Sequence, residues 1–269
     1  MHSAESDPVT FHGVSPNNGD DNKRTKGKAT APSFQNTFGE IVCEIGRSRD
    51  DTVCITAAMK EGTGLVPYST EFPNRFFDVG IAEGHAVTFA AGMAMQGMRP
   101  IVAIYSTFLQ RAYDHIIHDV ALQNLPVIFC LDRAGLVGED GATHHGALDI
   151  AYSRCIPNLV VSAPKDGNEL RNLIYSALNQ VKSPFMIRYP KSSSFKFDKN
   201  GQADLIPIGN WKKVATGKDV AILAVGSMVK PALEAANALV KDKISCEVIN
   251  CRFIQPLDEK YLKYIFDRF

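Results

Sequence analysis

Apolar residues recur along this chain in two patterns. Phe34, Phe38, Ile41, Val42 and Ile45 share one stripe of a 3.6-residue repeat, and Ser33 stands where an N-cap would accept a free amide. Elsewhere the apolar positions form short continuous runs, at 52–56, 76–79, 100–105, 126–131, 159–162 and 185–188. Between them lie segments of helical length at 82–96, rich in Ala, Gly and Met, at 108–123 and near 167–181. Continuous apolar strands separated by helices predict a parallel sheet covered on both faces, a three-layer α/β fold.

The pattern also divides the chain. Residues 1–33 have no helical or strand period, and 15–33 are dense in Asn, Gly, Asp, Lys and Pro, which reads as a linker or mobile loop. Residues 34–200 hold the layered domain. After the polar stretch 191–203 a second unit, 201–269, is expected, with strands at 219–225 and 246–250 and helices at 230–240 and from 256 onward. About 60 residues with two strands is small for a self-sufficient α/β domain. The expectation is therefore a truncated C-terminal unit.

Composition narrows the function classes. Lys plus Arg and Asp plus Glu are both 29, and this balance argues against a surface built for nucleic acid while leaving room for a local basic pocket. Four of the six cysteines sit in apolar runs and none form a CxxC pair, which fits buried thiols in a reducing compartment. No apolar run approaches the ~20 residues that span a membrane, and the polar N-terminus lacks a signal-peptide core. A cytoplasmic protein without membrane or nucleic-acid partners is expected.

Several positions carry candidate chemistry. Glu83 stands at a strand-to-helix junction in Phe76-Phe77-Asp78-Val79-Gly80-Ile81-Ala82-Glu83-Gly84-His85. A first-turn glutamate is already favoured by the helix dipole, but the small residues of 86–92 would let a ring or backbone approach closely. Asp114, His115, His118 and Asp119 allow a metal-site reading or a packed helix with polar edges. The loop 132–146 follows a strand and concentrates four glycines, His144, His145, Arg133 and aspartates, so it is either a flexible surface loop or part of a site. Its glycines form neither a dinucleotide fingerprint nor a P-loop. Arg188, Lys191 and the serines 192–194 would suit an anion cradle or an interdomain linker equally.

Taken together, the runs 75–91, 100–111, 114–126, 132–149, 154–157 and 187–190 closely resemble the 1-deoxy-D-xylulose-5-phosphate synthases. The upstream Phe11-His12-Gly13-Val14 resembles the tract between that family's first and second domains, so the likeness spans nearly the whole chain. It implies a transketolase-type pyrimidine-binding domain followed by the start of a C-terminal domain. It implies thiamine diphosphate as cofactor, with Mg²⁺ on its diphosphate, and pyruvate and glyceraldehyde 3-phosphate as substrates. The two condense to 1-deoxy-D-xylulose 5-phosphate with loss of CO2, feeding isoprenoid, thiamine and pyridoxal synthesis. A homodimer is implied as well.

Site residues carry over one by one. Glu83 matches the glutamate that hydrogen-bonds the aminopyrimidine and favours its imino tautomer, a role for which burial is expected. Phe108 matches the aromatic stacked on that ring. Tyr105, Arg111 and Arg133 match positions that bind and orient the acceptor phosphate. Asp140 and His144 match loop residues that handle substrate and intermediate, and His12 matches a linker histidine serving proton transfer. Two departures stand out. Gly84 replaces the usual Gln, which predicts looser packing, and Lys191 replaces a common Arg, losing bidentate geometry. The chain contains no Gly-Asp-Gly, the motif that anchors Mg²⁺ and the diphosphate in this family. Residues 1–269 are thus expected to be inactive alone. The alternatives are a subunit of a split thiamine-diphosphate enzyme and a non-catalytic dimerisation module.

Overall fold

The structure is a computed structural model that describes residues 5–6 and 32–269. Its larger sheet has seven strands: β1 (Thr52–Thr56), β2 (Phe76–Asp78), β3 (Arg99–Tyr105), β4 (Ile128–Asp132), β5 (Val160–Ser162), β6 (Phe185–Arg188) and β10 (Phe253–Gln255). They lie in the order β10-β5-β6-β4-β3-β1-β2. All pair in parallel except β10, which is antiparallel to β5.

Alternate strand residues point to opposite faces, and both faces are covered. Cys54, Ile101, Ala103, Cys130 and Ile187 meet α1 (Phe34–Ser48) and α5 (Gly167–Gln180), while the short helices α2 (Val66–Glu71) and α4 (Asp149–Ser153) lie in the connections after β1 and β4. Ile55, Val102, Ile104, Phe129 and Leu131 meet α3 (Glu83–Met95) and the helical segment after β3. Two-sided burial is why these strands read as unbroken apolar runs. The five residues of the α1 stripe are all buried, and Ser33 Oγ accepts the Asn36 amide at 3.1 Å. In α3, Ala86, Ala90, Ala91 and Ala94 are buried, so this helix lies close against the sheet.

The segment predicted as one helix over 108–123 is instead composite. A 3-10 stretch, Phe108–Ala112, passes through one α turn, Tyr113–His115, into a π stretch, Ile116–Ala121. The apolar periodicity is satisfied throughout, since Leu109, Ala112, Ile116 and Val120 are all buried. Hydrophobic spacing alone does not distinguish these windings.

A second sheet is formed by β7 (Lys212–Ala215), β8 (Val220–Ala224) and β9 (Cys246–Asn250) in the order β7-β9-β8, with α6 (Val229–Leu239) packed on it. Here β7 was not expected: its Lys212-Lys213 start hides the strand, which runs antiparallel to β9. The strand β10 was missed as well, and it leaves the second unit to complete the first sheet. Ile206, Trp211, Ile249, Cys251 and Phe253 join the core on the α1 side of that sheet. Trp211 Nε1 donates to Phe253 O at 2.8 Å, and Asn250 Nδ2 donates to the buried Glu169 of α5 at 2.8 Å. The polar stretch 191–203 is likewise no free linker, because Ser192 O accepts the Phe34 amide and Ser194 is buried against Thr37. Among the described residues no helix is long and apolar enough to cross a membrane.

Candidate active site

The parallel strands end level with one another, with Thr56 opposite Asp78, Tyr105 opposite Asp132, and Leu131 opposite Arg188. Every loop leaving those ends therefore opens on the same edge. The chain passes from β1 outward to β2 and then returns to β3 on the other side of β1. Such a reversal opens a crevice at the carboxyl ends of the strands, the usual ligand position in open α/β sheets. A cavity of ≈ 590 Å³ lies there. Ala57, Ala58, Met59 and Gly62 line it after β1, Glu83 from α3, Tyr105 from the end of β3 and Phe108 and Arg111 from the segment after it, with His144 from the long loop.

Glu83 sits in the first turn of α3 and is only 3% exposed. Its Oε1 accepts from Arg111 Nη1 at 2.5 Å, while the Arg111 side chain stays 56% exposed. The Arg111 guanidinium carbon also lies 4.9 Å from the Phe108 ring centroid. Phe108 in turn stacks on Tyr105, with centroids 5.6 Å apart, and meets His144 edge-on at 5.3 Å. The result is a buried carboxylate beside a flat aromatic wall.

The packing behind Glu83 corrects one expectation. A Cβ on Gly84 would lie 2.8 Å from His115 Cε1. The imidazole already fills the room that a larger side chain at 84 would need, so the glycine does not loosen this turn. His115 is thereby committed to packing, and Asp119 accepts from Thr88 Oγ1 at 2.5 Å and faces His118 Nδ1 at 3.2 Å. No three of Asp114, His115, His118 and Asp119 converge as ligands.

Behind Tyr105 lies a second, charged cluster. Burial pushes the Tyr105 hydroxyl up to about 12. That hydroxyl reaches so close to Gly62 that a Cβ there would meet it at 1.6 Å. Arg133, at φ 61°, places its guanidinium carbon 3.8 Å from the Tyr105 ring centroid. Its Nη1 donates to Asp132 Oδ1 and to Gly62 O, both at 2.9 Å, and its Nε donates to Asp140 Oδ2 at 3.2 Å. Lys191 Nζ donates to the other Asp140 oxygen. Partial burial works against the Asp140 charge, but Lys191 and Arg133 outweigh it and hold the carboxyl below the usual range. Asp132 behaves oppositely: complete burial pushes its carboxyl up to about 7, only partly offset by Arg133.

The site residues inferred from sequence thus fall into two groups. Glu83, Phe108, Tyr105, Arg111 and His144 share the cavity, and Arg133, Asp140 and Lys191 form the cluster adjoining it through Tyr105. His12 lies outside the described residues. The anion cradle at Arg188 does not form, because Arg188 Nε donates at 2.8 Å to the buried Asp149, which also accepts from Ser106 Oγ at 3.0 Å. The serines 192–194 face α1 instead. Sequence reasoning included Asp132 only as one of the aspartates of the 132–146 loop, with no role of its own, and missed the 57–62 loop. The signal for that loop was its position immediately after an apolar parallel strand.

The family model described as "Transketolase, pyrimidine binding domain" matches residues 30–195, and that of the transketolase C-terminal domain matches residues 209–268. The chain belongs to the transketolase pyrimidine-binding domain family. Within this family it is similar to the 1-deoxy-D-xylulose-5-phosphate synthase of Aquifex aeolicus, 51% identical over 266 residues, covering 99% of this chain and 42% of the relative. The Halothermothrix orenii protein of the same name is 52% identical over 259 residues, covering 96% of this chain and 40% of that protein. The chain therefore spans about two fifths of the length of these relatives. A solved chain described as a split gene transketolase, inactive beta4 tetramer, superposes with TM-score 0.79 at 28% identity, covering 88% of this chain and 77% of that one. A Pichia stipitis transketolase complex shares the fold, with TM-score 0.75 at 19% identity over 88% of this chain and 37% of its own.

Proposed function

We propose that this chain supplies the pyrimidine-side half of a 1-deoxy-D-xylulose-5-phosphate synthase active site. The observation that carries the reading is the convergence of Glu83, Phe108, Tyr105, Arg111 and His144 on one cavity at the sheet's switch point. Identity of about 50% to synthases of that name supports the same reading.

The cavity suits the aminopyrimidine of thiamine diphosphate. A buried carboxylate offers an acceptor, Phe108 offers a flat apolar face, and Ala57, Met59 and Ile81 add apolar wall beside the acidic Glu61. When bound, the cofactor supplies the carbanion chemistry that joins the two-carbon unit of pyruvate to glyceraldehyde 3-phosphate, with loss of CO2. Glu83 holds the proton exchanged with the ring and is placed for this by the first turn of α3. Arg111, paired with Glu83 and half-exposed, helps bind and orient the acceptor phosphate. Arg133 and Lys191 meet the acceptor phosphate, Tyr105 supports Arg133, and Asp140 and His144 orient the substrate. His12 serves in proton transfer. Mg²⁺ and the diphosphate are held by a region carrying Gly-Asp-Gly, which the sequence here does not contain. The protein acts in the cytoplasm as a homodimer.

A second reading places that region on a separate polypeptide. It is favoured by the likeness to a chain described as split gene transketolase, most of whose length is matched.

Turnover of pyruvate and glyceraldehyde 3-phosphate, with thiamine diphosphate and Mg²⁺ present, tests both readings. The chain alone is expected to be inactive. It should gain carboligation when co-expressed with the diphosphate-binding region of the Aquifex aeolicus relative, and Glu83→Gln should abolish the gain. Activity that survives Glu83→Gln would overturn the proposal. Co-purification with a natural partner carrying Gly-Asp-Gly would select the second reading.

A further inference from the structure

Asp132 ends β4 beside the charged cluster, yet it takes no part in the function proposed above. It is fully buried, which for a carboxylate calls for compensation. Compensation reaches only one oxygen. Oδ1 accepts from Arg133 Nη1 at 2.9 Å, whereas Oδ2 has no partner among the described residues. The nearby Tyr189 hydroxyl is also fully buried and unpartnered among them. The charged and titratable groups facing this acid are Arg133, Lys191, Tyr105 and Tyr189, with Asp140 across the guanidinium.

Asp132 is one of several groups that hold the Arg133 side chain. The left-handed backbone of Arg133, at φ 61°, turns the side chain back over β4 toward the Tyr105 ring. Two acceptors hold Nη1 from behind, Asp132 Oδ1 and Gly62 O. The Nε edge is then presented to Asp140, whose Oδ2 accepts from it at 3.2 Å, on the side where the acceptor phosphate is proposed to be met. Only one of the two rear acceptors is ionisable. Burial moves it toward neutral pH, so its charge is not constant over the range in which an enzyme works.

We propose that Asp132 is a positioning residue for the acceptor-phosphate site, its carboxylate locking the Arg133 guanidinium in the anion-facing orientation and releasing it when protonated. This rests on the reading that Arg133 meets the acceptor's phosphate.

The experiment uses the full chain labelled with ¹³C-aspartate and ¹⁵N-arginine, with Asp132→Asn and Arg133→Lys to assign the signals. The Asp132 carboxyl carbon and the Arg133 Nε resonance should titrate with one shared midpoint near neutral pH. Asp132→Asn should abolish the Arg133 midpoint, and Asp132→Glu should restore one. Sulfate, whose charge does not change over this range, serves as the anion probe by isothermal titration. Effects of pH common to both proteins cancel in the ratio of wild-type to Asp132→Asn affinity, which is therefore the informative quantity. Positioning predicts that this ratio climbs about fivefold between pH 5.5 and 8, whereas simple repulsion by the carboxylate predicts that it falls. A falling or constant ratio, or an Arg133 resonance that ignores Asp132, would overturn the proposal. If neither protein binds sulfate, the acceptor-phosphate reading of Arg133 fails, and the shared midpoint alone decides the role of Asp132.

Discussion

Arg111 Nη1 meets Glu83 Oε1 at 2.5 Å, which joins a half-exposed cation to a buried carboxylate. The two ends of this pair are not equivalent. Losing Arg111 strands a charge inside the cavity wall, while losing the Glu83 charge frees a guanidinium that water already reaches. Arg111→Met is therefore expected to lower stability by about 1–3 kcal/mol in urea titrations. Glu83→Gln should cost clearly less. Equal losses would mean that the pair is solvated and the burial of Glu83 has no energetic consequence.

Gly84 and His115 should behave as a coupled pair. Gly84→Gln drives a side chain into the imidazole, and overpacking of this kind costs about 1–3 kcal/mol. His115→Ala alone opens a void. Combined, the two changes should recover much of the loss, so a double-mutant cycle from thermal or urea unfolding should be strongly non-additive. Simple additivity would show that the ring moves aside freely.

The raised Asp132 carboxyl has a signed consequence for stability. Between about pH 4 and 7 the unfolded carboxyl is ionised while the folded one keeps its proton. The folded state thus binds more protons there, and this residue makes stability fall as pH rises, by about 1.4 kcal/mol per pH unit at most. Above pH 7 the contribution is flat. Asp132→Asn removes it, and unfolding free energies measured from pH 4 to 8 should show a shallower decline in the variant.

The single tryptophan reports on the joint between the two units. Trp211 is buried in the core of the larger sheet and bonded to β10. Its fluorescence and the far-UV circular dichroism should therefore lose their native signals at the same urea concentration. Separate midpoints would show that the second unit unfolds on its own.

Much of this was legible in the sequence for a simple reason. Two-sided burial writes a strand such as Ile101–Ile104 as an unbroken apolar run, and the stripe from Phe34 to Ile45 can hardly be anything but a helix. Glu83, Phe108, Arg111 and His144 were found through a family likeness, and the cavity brings them together. Four things stayed hidden. Lys212 and Lys213 mask β7 because the strand begins with two exposed lysines, and β10 is too short to show a period. The pairing of Arg188 with Asp149, across 39 positions, belongs to tertiary structure alone. The room that Gly84 leaves for His115 could be seen only once α3 and its neighbour were packed together.

The antiparallel strand β10 also sets the order in which this chain can finish folding. Until it leaves the ribosome, β5 has no neighbour on its outer side, although β7, β8 and β9 have already been made. An unpaired edge of this kind is a template for another chain. Synthesis from the N-terminus therefore exposes the nascent sheet for the whole time the second unit is being translated. In the cell, this interval is when the chain should be most in need of chaperones.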